Sequence, residues 1–205
     1  MPLIRKDDGA PTPPVAAGAN ASARLTEGTP DERWAAARAL AEQSGSGPVL
    51  AGALHLERDA RVREAILTSL IRQGGSAAVC AVIPLVSSDD ASLRTEALDA
   101  LRAMPVALEP YLADLLADRD PDVRLLSCDL ARVLPAQVAA RMLCEVLDRE
   151  GEVNVCAAAI DALAEVGGPD AAPALARCAA RFPDEPFLRF AIRAAAQRIG
   201  AGSGV

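Results

Sequence analysis

The stretch Asp120-Pro121-Asp122-Val123-Arg124 contains a pattern that returns along most of the chain. In this pattern an apolar residue follows an acidic one by three positions, and arginine often comes directly after it. The apolar position, which we call the anchor and expect to lie in the core, recurs at intervals of 28 to 33 residues, as Trp34, Val62, Leu93, Val123, Val155 and Leu188. A period of this length is typical of stacked helical repeats, so the sequence predicts a repeat protein.

The acidic residue of the pattern has a structural explanation. An aspartate just before an apolar-periodic segment can accept a hydrogen bond from an amide two or three residues later and so cap a helix. Proline directly after it, as at Pro121 and Pro186, suits the first helical position. We predict that the recurring arginine pairs with the capping carboxylate of its own or the next repeat, as a ladder between layers. The predicted cap and ladder residues are Asp31, Asp59, Arg63, Asp90, Arg94, Asp120, Arg124 and Arg189.

Three copies of the pattern, which begin at Asp59, Asp90 and Asp120, are the most regular. They resemble the short HEAT-like repeats of bacterial proteins of the phycobilisome-lyase type, and the resemblance covers residues 29–199. It implies an all-α, armadillo-like fold: a right-handed α-α superhelix, or HEAT-like solenoid, of about five to six helical hairpins. It also implies that the second helix of each hairpin lines a concave, partner-binding surface.

Apolar periodicity and loop breakers place the individual helices. A helix is expected from Thr29 to about Glu42, with no clear first helix before it. Residues 1–28 are predicted to be a flexible N-terminal tail, residues 29–199 the repeat solenoid and residues 200–205 a disordered end. Later first helices are predicted at 48–56, 76–86, 106–116, 135–147 and 170–180, and second helices at 60–73, 91–104, 121–133, 153–166 and 186–199.

Composition narrows the function classes. Hydrophobic residues make up 51% of the chain and aromatic residues 2%, so alanine, leucine and valine must form the core. The net charge of −7, carried by the repeats, argues against binding to nucleic acid or to anionic membranes. Five cysteines without a C-x-x-C pair, and no apolar signal sequence, favour a reducing cytoplasm with free and mostly buried thiols. No apolar run is long enough to span a bilayer.

No residue set in the sequence predicts catalysis. His55 is the sole histidine, and its counterparts in other repeats are apolar, which favours a partly buried, hydrogen-bonded side chain over an acid–base or metal role. We therefore predict no catalytic residues, no metal site and no cofactor.

The position six residues after the apolar anchor is the more informative one. It carries aspartate in three consecutive central repeats, and on these helices it is expected to face outward. The predicted partner-binding residues are Glu64, Thr68, Asp99, Arg102, Asp129, Arg132, Asp161 and Glu165, an acidic stripe with a mixed border. Five residues after the anchor, an apolar contact surface for the partner is expected at Leu67, Leu98, Cys128 and Ile160. Charge that serves only solubility is an equally plausible interpretation.

Two function classes stay open on this basis. The first is a non-catalytic protein–protein interaction scaffold, or an accessory or regulatory factor, that binds a basic or amide-rich segment of another cytoplasmic protein in its acidic concave groove. The second, which the resemblance implies, is a lyase or chaperone of the phycobilin-lyase type that handles a cofactor or chromophore.

Overall fold

The structure, a computed structural model, describes residues 14–202, and within this range it contains no β-strand. The predicted all-α class is therefore confirmed. The α-helices are α1 (Pro14–Glu27), α2 (Pro30–Leu40), α3 (Gly47–Leu54), α4 (Ala60–Gln73), α5 (Gly75–Val82), α6 (Ala91–Arg102), α7 (Pro105–Leu115), α8 (Pro121–Leu130), α9 (Ala136–Arg149), α10 (Val153–Val166), α11 (Ala172–Arg181) and α12 (Pro186–Gly202). Short 3₁₀ helices cover Ile83–Ser87, Ala131–Val133 and Pro169–Ala171.

The chain divides after Gln73 into two compact units. Unit 1 ends at Gln73 and contains α1 to α4, while unit 2 begins at Gly74 and contains α5 to α12. None of the described helices is both long and apolar enough to cross a bilayer.

In unit 1, α1 packs against α2, α2 against α4, and α3 against α4. Helix α1 corrects the expectation that the first repeat lacks its first helix. Its last turns bury Ala21 and Leu25, and this contact with α2 stabilises a helix that the proline and glycine content of the segment obscured. Residues 1–13, the rest of the predicted tail, lie outside the described residues.

In unit 2, the second helices α6, α8, α10 and α12 pack in succession, and the first helices pack as the pairs α5 with α7 and α9 with α11. Their buried faces consist mainly of alanine, leucine and valine, as in Ala97, Leu101, Leu130 and Leu163. Close helix packing suits such small side chains. Helix α12 continues to Gly202, past the end predicted at Ile199, and residues 203–205 lie outside the described part.

Helix starts follow the pattern in three of the repeats. Asp59 accepts hydrogen bonds from the amides of Arg61 and Val62, at 3.0 and 3.2 Å. Asp90 caps α6 and Asp120 caps α8 in the same way. Each of these aspartates satisfies an amide that would otherwise lack a partner in the first turn of its helix.

Asp31 is not a cap, which corrects its assignment. The N-cap of α2 is Thr29, whose side chain accepts from the amide of Glu32 while the Glu32 carboxylate accepts from the amide of Thr29 at 2.8 Å. This reciprocal arrangement is a capping box. Thr29 is thus the counterpart of Asp59, and Arg33 is the counterpart of Arg63, so the first repeat is shifted by two residues from the predicted alignment.

In the described part of the chain, the recurring arginines bind loop carbonyls and not the capping carboxylates of the predicted ladder. Each reaches back five or six residues to a loop carbonyl: Arg63 to Arg58 at 3.0 Å, Arg94 to Ser88 at 2.6 Å and Arg124 to Asp118 at 2.9 Å. Arg33 reaches Gly28 at 2.9 Å, which supports its place in the corrected alignment. Arg189, in the last repeat, is exposed.

Two of these arginines also hold a buried carboxylate of the next repeat. Arg33 donates two parallel hydrogen bonds to Glu57, at 2.7 and 2.9 Å, and Arg124 does the same to Glu150. In each case one carboxylate oxygen also accepts from two loop amides, at 2.9 Å. Such fork-to-fork pairs are strong and geometrically specific. They join one hairpin to the next within each unit.

Candidate functional site

Six of the eight predicted partner-binding residues come together in unit 2. They lie on α6, α8 with its 3₁₀ extension, and α10, where they form a continuous series of ion pairs. We call this series the Asp–Arg ladder, and its members are Asp99, Arg102, Asp129, Arg132, Asp161 and Glu165.

The two arginines of the ladder bridge consecutive helices. Arg102 contacts Asp99 at 2.6 Å on its own helix and Asp129 on the next, with 3.2 Å between its Nε and Oδ2. Arg132 lies 3.0 Å from Asp129 and donates to Asp161 at 2.7 Å, and it also pairs with Glu165. The arginines are therefore interleaved with the aspartates, whereas the sequence predicted an acidic stripe with arginines only along its border.

Exposure separates the two signs of charge in the ladder. The Asp99 and Asp161 side chains are 68% and 70% exposed, but the Arg132 side chain is only 21% exposed. Burial lowers the pKa of Arg132, yet its hydrogen bonds to Glu165 and Asp161 outweigh this and raise the pKa above its ordinary value. The hydrogen bond to Asp129 is the main cause of the raised pKa of Arg102. Both guanidiniums stay charged, so the ladder carries four negative charges and two positive ones.

The apolar contact surface beside the ladder differs from the prediction. Leu67, Leu98, Cys128 and Ile160 are all buried in the core, because their position lies on the inward face of each helix. On α8, α10 and α12, accessible apolar side chains stand instead two residues after the anchor, one helical turn before the position that carries aspartate on α8 and α10. Leu125 and Ala157 are half-buried there, and Phe190 is 64% exposed.

The other two predicted residues, Glu64 and Thr68, lie on α4 in unit 1. They line a cleft of about 290 Å³ together with Trp34, Arg38, Arg61 and Arg72. We call these six residues the tryptophan cleft. Trp34 was predicted to be a core anchor, but in the corrected alignment it occupies the outward position two residues after the anchor, and its side chain is only half-buried. The capping box at Thr29 and Glu32, an S/T-x-x-E signature, could have revealed this shift in the sequence.

Other candidate groups offer little for catalysis. His55, at the end of α3, is exposed rather than partly buried as expected. Cys144 lines a depression of about 700 Å³ beside α9, but burial raises the pKa of its thiol, and a protonated thiol is a poor nucleophile. Burial likewise raises the pKa of Cys128 to about 12. Among the described residues, no group of three His, Cys, Asp or Glu side chains could hold a metal ion.

Comparison with known proteins addresses the fold. No protein-family model matches the chain, and no curated protein matches it. Among solved structures, it is similar to a HEAT-like repeats protein of the archaeon Thermococcus onnurineus NA1, with 16% identity, a TM-score of 0.50, and 91% of this chain and 88% of that chain covered. An engineered protein aligns with 18% identity and a TM-score of 0.44, over 91% of this chain and 97% of its own.

The identity to the archaeal protein is low enough that the likeness shows the fold alone. Its HEAT-like repeats agree with the hairpins, caps and periodic core described above. The narrower likeness to repeats of the phycobilisome-lyase type remains a resemblance of sequence. The chain therefore has the all-α fold of HEAT-like helical repeats.

Proposed function

We propose that unit 2 is a non-catalytic interaction module that binds a basic segment of a partner protein on the Asp–Arg ladder. The observation that carries this proposal is the alignment of Asp99, Asp129 and Asp161 on successive second helices. Binding sites placed on rigid helices, and supported by further side chains, are held more accurately than sites on loops.

Charge favours a cationic ligand at this surface. The carboxylates of Asp99 and Asp161 are the most exposed groups of the ladder, while the guanidiniums of Arg102 and Arg132 are partly buried and already paired. An approaching ligand therefore meets negative charge first. Complementary charge of this kind raises association rates and excludes partners of the wrong sign.

The apolar positions beside the ladder specify the partner further. Leu125, Ala157 and Phe190 stand one helical turn from the Asp129, Asp161 and Ala194 positions on the same helices. A segment that carries arginine or lysine along one edge and apolar side chains along the other would contact both rows. We infer that the partner segment is basic and amphipathic.

A scaffold, accessory or regulatory role follows from such a surface. The free thiols, three of them buried in unit 2, support the proposal that the protein and its partner meet in a reducing cytoplasm. The net charge of −7 supports a protein partner over nucleic acid or an anionic membrane.

The proposal is tested by titrating the full chain with a fluorescein-labelled nine-residue arginine peptide and measuring fluorescence anisotropy. The test variant carries Asp99→Asn, Asp129→Asn and Asp161→Asn. The control variant carries the same change of charge at exposed residues of unit 2 outside the ladder, Asp89→Asn, Asp114→Asn and Asp184→Asn. Circular dichroism checks that both variants stay helical.

We expect the ladder variant to bind the peptide at least tenfold more weakly than wild type. Three exposed ion pairs at roughly 0.5 kcal/mol each correspond to about a tenfold change in affinity. The control variant should keep affinity within about threefold of the wild type, since charge outside the ladder acts only at long range. Equal loss in both variants would overturn the proposal, because the peptide would then sense net charge alone. Once the ladder passes this test, capture from lysate with both variants would identify the partner.

A further inference from the structure

The tryptophan cleft of unit 1 combines one indole with several guanidiniums. The Arg38 guanidinium carbon lies 4.8 Å from the centroid of the Trp34 ring, and the corresponding atom of Arg61 lies 5.0 Å from it. Arg38 stands one turn after Trp34 on α2, while Arg61 comes from α4. Contacts at this distance are attractive, and they orient the guanidiniums against the ring.

Stacking leaves the arginine donors usable. A guanidinium donates hydrogen bonds in its own plane, so it can contact an aromatic ring and bind a carboxylate at the same time. Arg72 adds a third guanidinium to the lining, and Glu64 is the one acidic side chain there. Three positive charges against one negative charge give the cleft lining a formal charge of +2.

Carboxylates of the chain itself already use two of these arginines. Arg61 donates to Asp31 at 2.8 Å, and Arg72 pairs with Glu42. All four side chains are more than half exposed, and such surface pairs contribute little to stability, so a ligand can replace them at small cost. Arg38 has no ion pair among the described residues, which leaves its donors available for a ligand.

We propose that the tryptophan cleft binds an acidic segment of a protein partner, with carboxylates held by Arg38 and Arg61. A volume of about 290 Å³ is at the lower end for ligand sites, so it admits one or two side chains rather than a cofactor. Nucleic acid is disfavoured because it needs many phosphate contacts, and the whole chain carries −7. This inference concerns a different unit and the opposite charge from the proposed function, and neither depends on the other.

The chain provides its own reporter for this site, because Trp34 is its only tryptophan. The experiment titrates the full chain with a hexaglutamate peptide and follows Trp34 fluorescence. Parallel titrations use hexalysine, and inorganic phosphate at matched ionic strength. We expect a saturable change with hexaglutamate, none with hexalysine, and only a weak response to phosphate.

Three variants of cleft residues and one matched control test which residues bind the peptide. Arg38→Ala and Arg61→Ala should each weaken hexaglutamate binding about tenfold. Arg58→Ala is the matched control, since it removes the same charge from an exposed residue of unit 1 that does not line the cleft, and it should change affinity less than threefold. Glu64→Gln removes the only carboxylate of the lining and should tighten binding severalfold, a gain that damage to the fold would not produce.

Several outcomes would overturn the inference. These are no saturable change with hexaglutamate, equal loss in the Arg58 and Arg38 variants, or weaker binding in the Glu64 variant. Phosphate that binds as tightly as hexaglutamate would also overturn it, since the cleft would then be a site for small anions and not for an acidic segment.

Discussion

The outward face of α2 in unit 1 carries a positive charge where the outward face of α8 in unit 2 carries a negative one. In the corrected alignment, the positions two and six residues after the anchor are Trp34 and Arg38 on α2. On α8 the same positions are Leu125 and Asp129. The framework around these positions is the same, because Arg33 holds Glu57 in unit 1 as Arg124 holds Glu150 in unit 2. These two repeats therefore keep the same interhelical support and differ in the exposed face, which is where repeat proteins bind their partners.

The largest effect is expected when the shared framework is broken. Arg124→Ala leaves the Glu150 carboxylate buried without its cation, since the two side chains are only 16% and 6% exposed. We expect a loss of about 3 kcal/mol in the free energy of unfolding, measured by urea denaturation, the lower end for a broken buried pair because the guanidinium keeps some exposure. Arg124→Lys should recover only part of it, because lysine cannot make the two parallel hydrogen bonds.

The matched control for this prediction is Arg189→Ala. Arg189 occupies the same repeat position in α12, but it is exposed, so its loss should change stability by less than about 0.5 kcal/mol. Similar losses at Arg124 and Arg189 would show that the buried pair is not the source of the effect.

The helix positions and caps could be predicted from the sequence, but the ion pairs between repeats could not. The 30-residue pattern located α4 and α10 to the residue and placed the caps at Asp59, Asp90 and Asp120, because caps and apolar periodicity are local properties. It did not locate the partners of Arg33 and Arg124. Those pairs join side chains 24 and 26 residues apart, and only the packed hairpins bring them together.

Two further errors have physical causes. Trp34 was assigned to the core because a large apolar residue fits an anchor position, yet the capping box at Thr29 sets a register that turns Trp34 outward. Arg102 and Arg132 were predicted to lie along the border of the acidic stripe. The sequence indicates which helix face an arginine occupies, but not which residues of the next helix its side chain contacts. An extended arginine on one helix can contact carboxylates on the next, as Arg132 does with Asp161.

A smaller loss of stability is expected when a side chain is added at either of two glycines, one in each unit, that lie close to a backbone carbonyl oxygen. A Cβ atom on Gly167 would overlap the Leu163 carbonyl oxygen and lie 3.3 Å from Ile199, and one on Gly28 would lie 2.6 Å from the Arg24 carbonyl oxygen. Gly167→Ala and Gly28→Ala should each cost about 2 kcal/mol by urea denaturation, as overpacked sites do. Gly168→Ala is the control, because a Cβ atom added there would meet no atom within 4 Å apart from its chain neighbours. It should change the free energy of unfolding little.

The dependence of stability on pH tests the carboxylates of the framework. The hydrogen bond from Arg33 is the main cause that lowers the pKa of Glu57 below its ordinary 4.5. Burial raises the pKa of Glu150, but hydrogen bonds from Arg124 and two amides outweigh it, so this pKa is also lowered. A lowered folded-state pKa contributes stability above pH 4.5 that is lost as the pH falls through the folded value.

We therefore expect the free energy of unfolding to fall as the pH drops below about 4.5, with a shallower slope in Glu57→Gln and Glu150→Gln than in wild type. Each glutamine variant should lose less free energy of unfolding than the Arg124→Ala variant, because glutamine still accepts hydrogen bonds. Urea denaturation at several pH values between neutral and acid gives the slopes. A slope unchanged in both variants would mean that other carboxylates control acid unfolding.

The smallest effect on stability is expected in the Asp–Arg ladder itself. Its carboxylates are exposed at Asp99 and Asp161, and exposed ion pairs contribute between roughly 0 and 1 kcal/mol each. Replacing Asp99, Asp129 and Asp161 together by asparagine should therefore cost at most about 1 kcal/mol by urea denaturation, because asparagine keeps hydrogen bonds to Arg102 and Arg132 and because mutual repulsion among the carboxylates is also removed. A loss near the 3 kcal/mol expected for the Arg124 variant would mean that the ladder stabilises the fold as much as the Arg124–Glu150 pair does, and is not mainly a binding surface. A small loss, together with weakened binding of the arginine peptide, would mean that these aspartates are kept for a ligand and not for the fold.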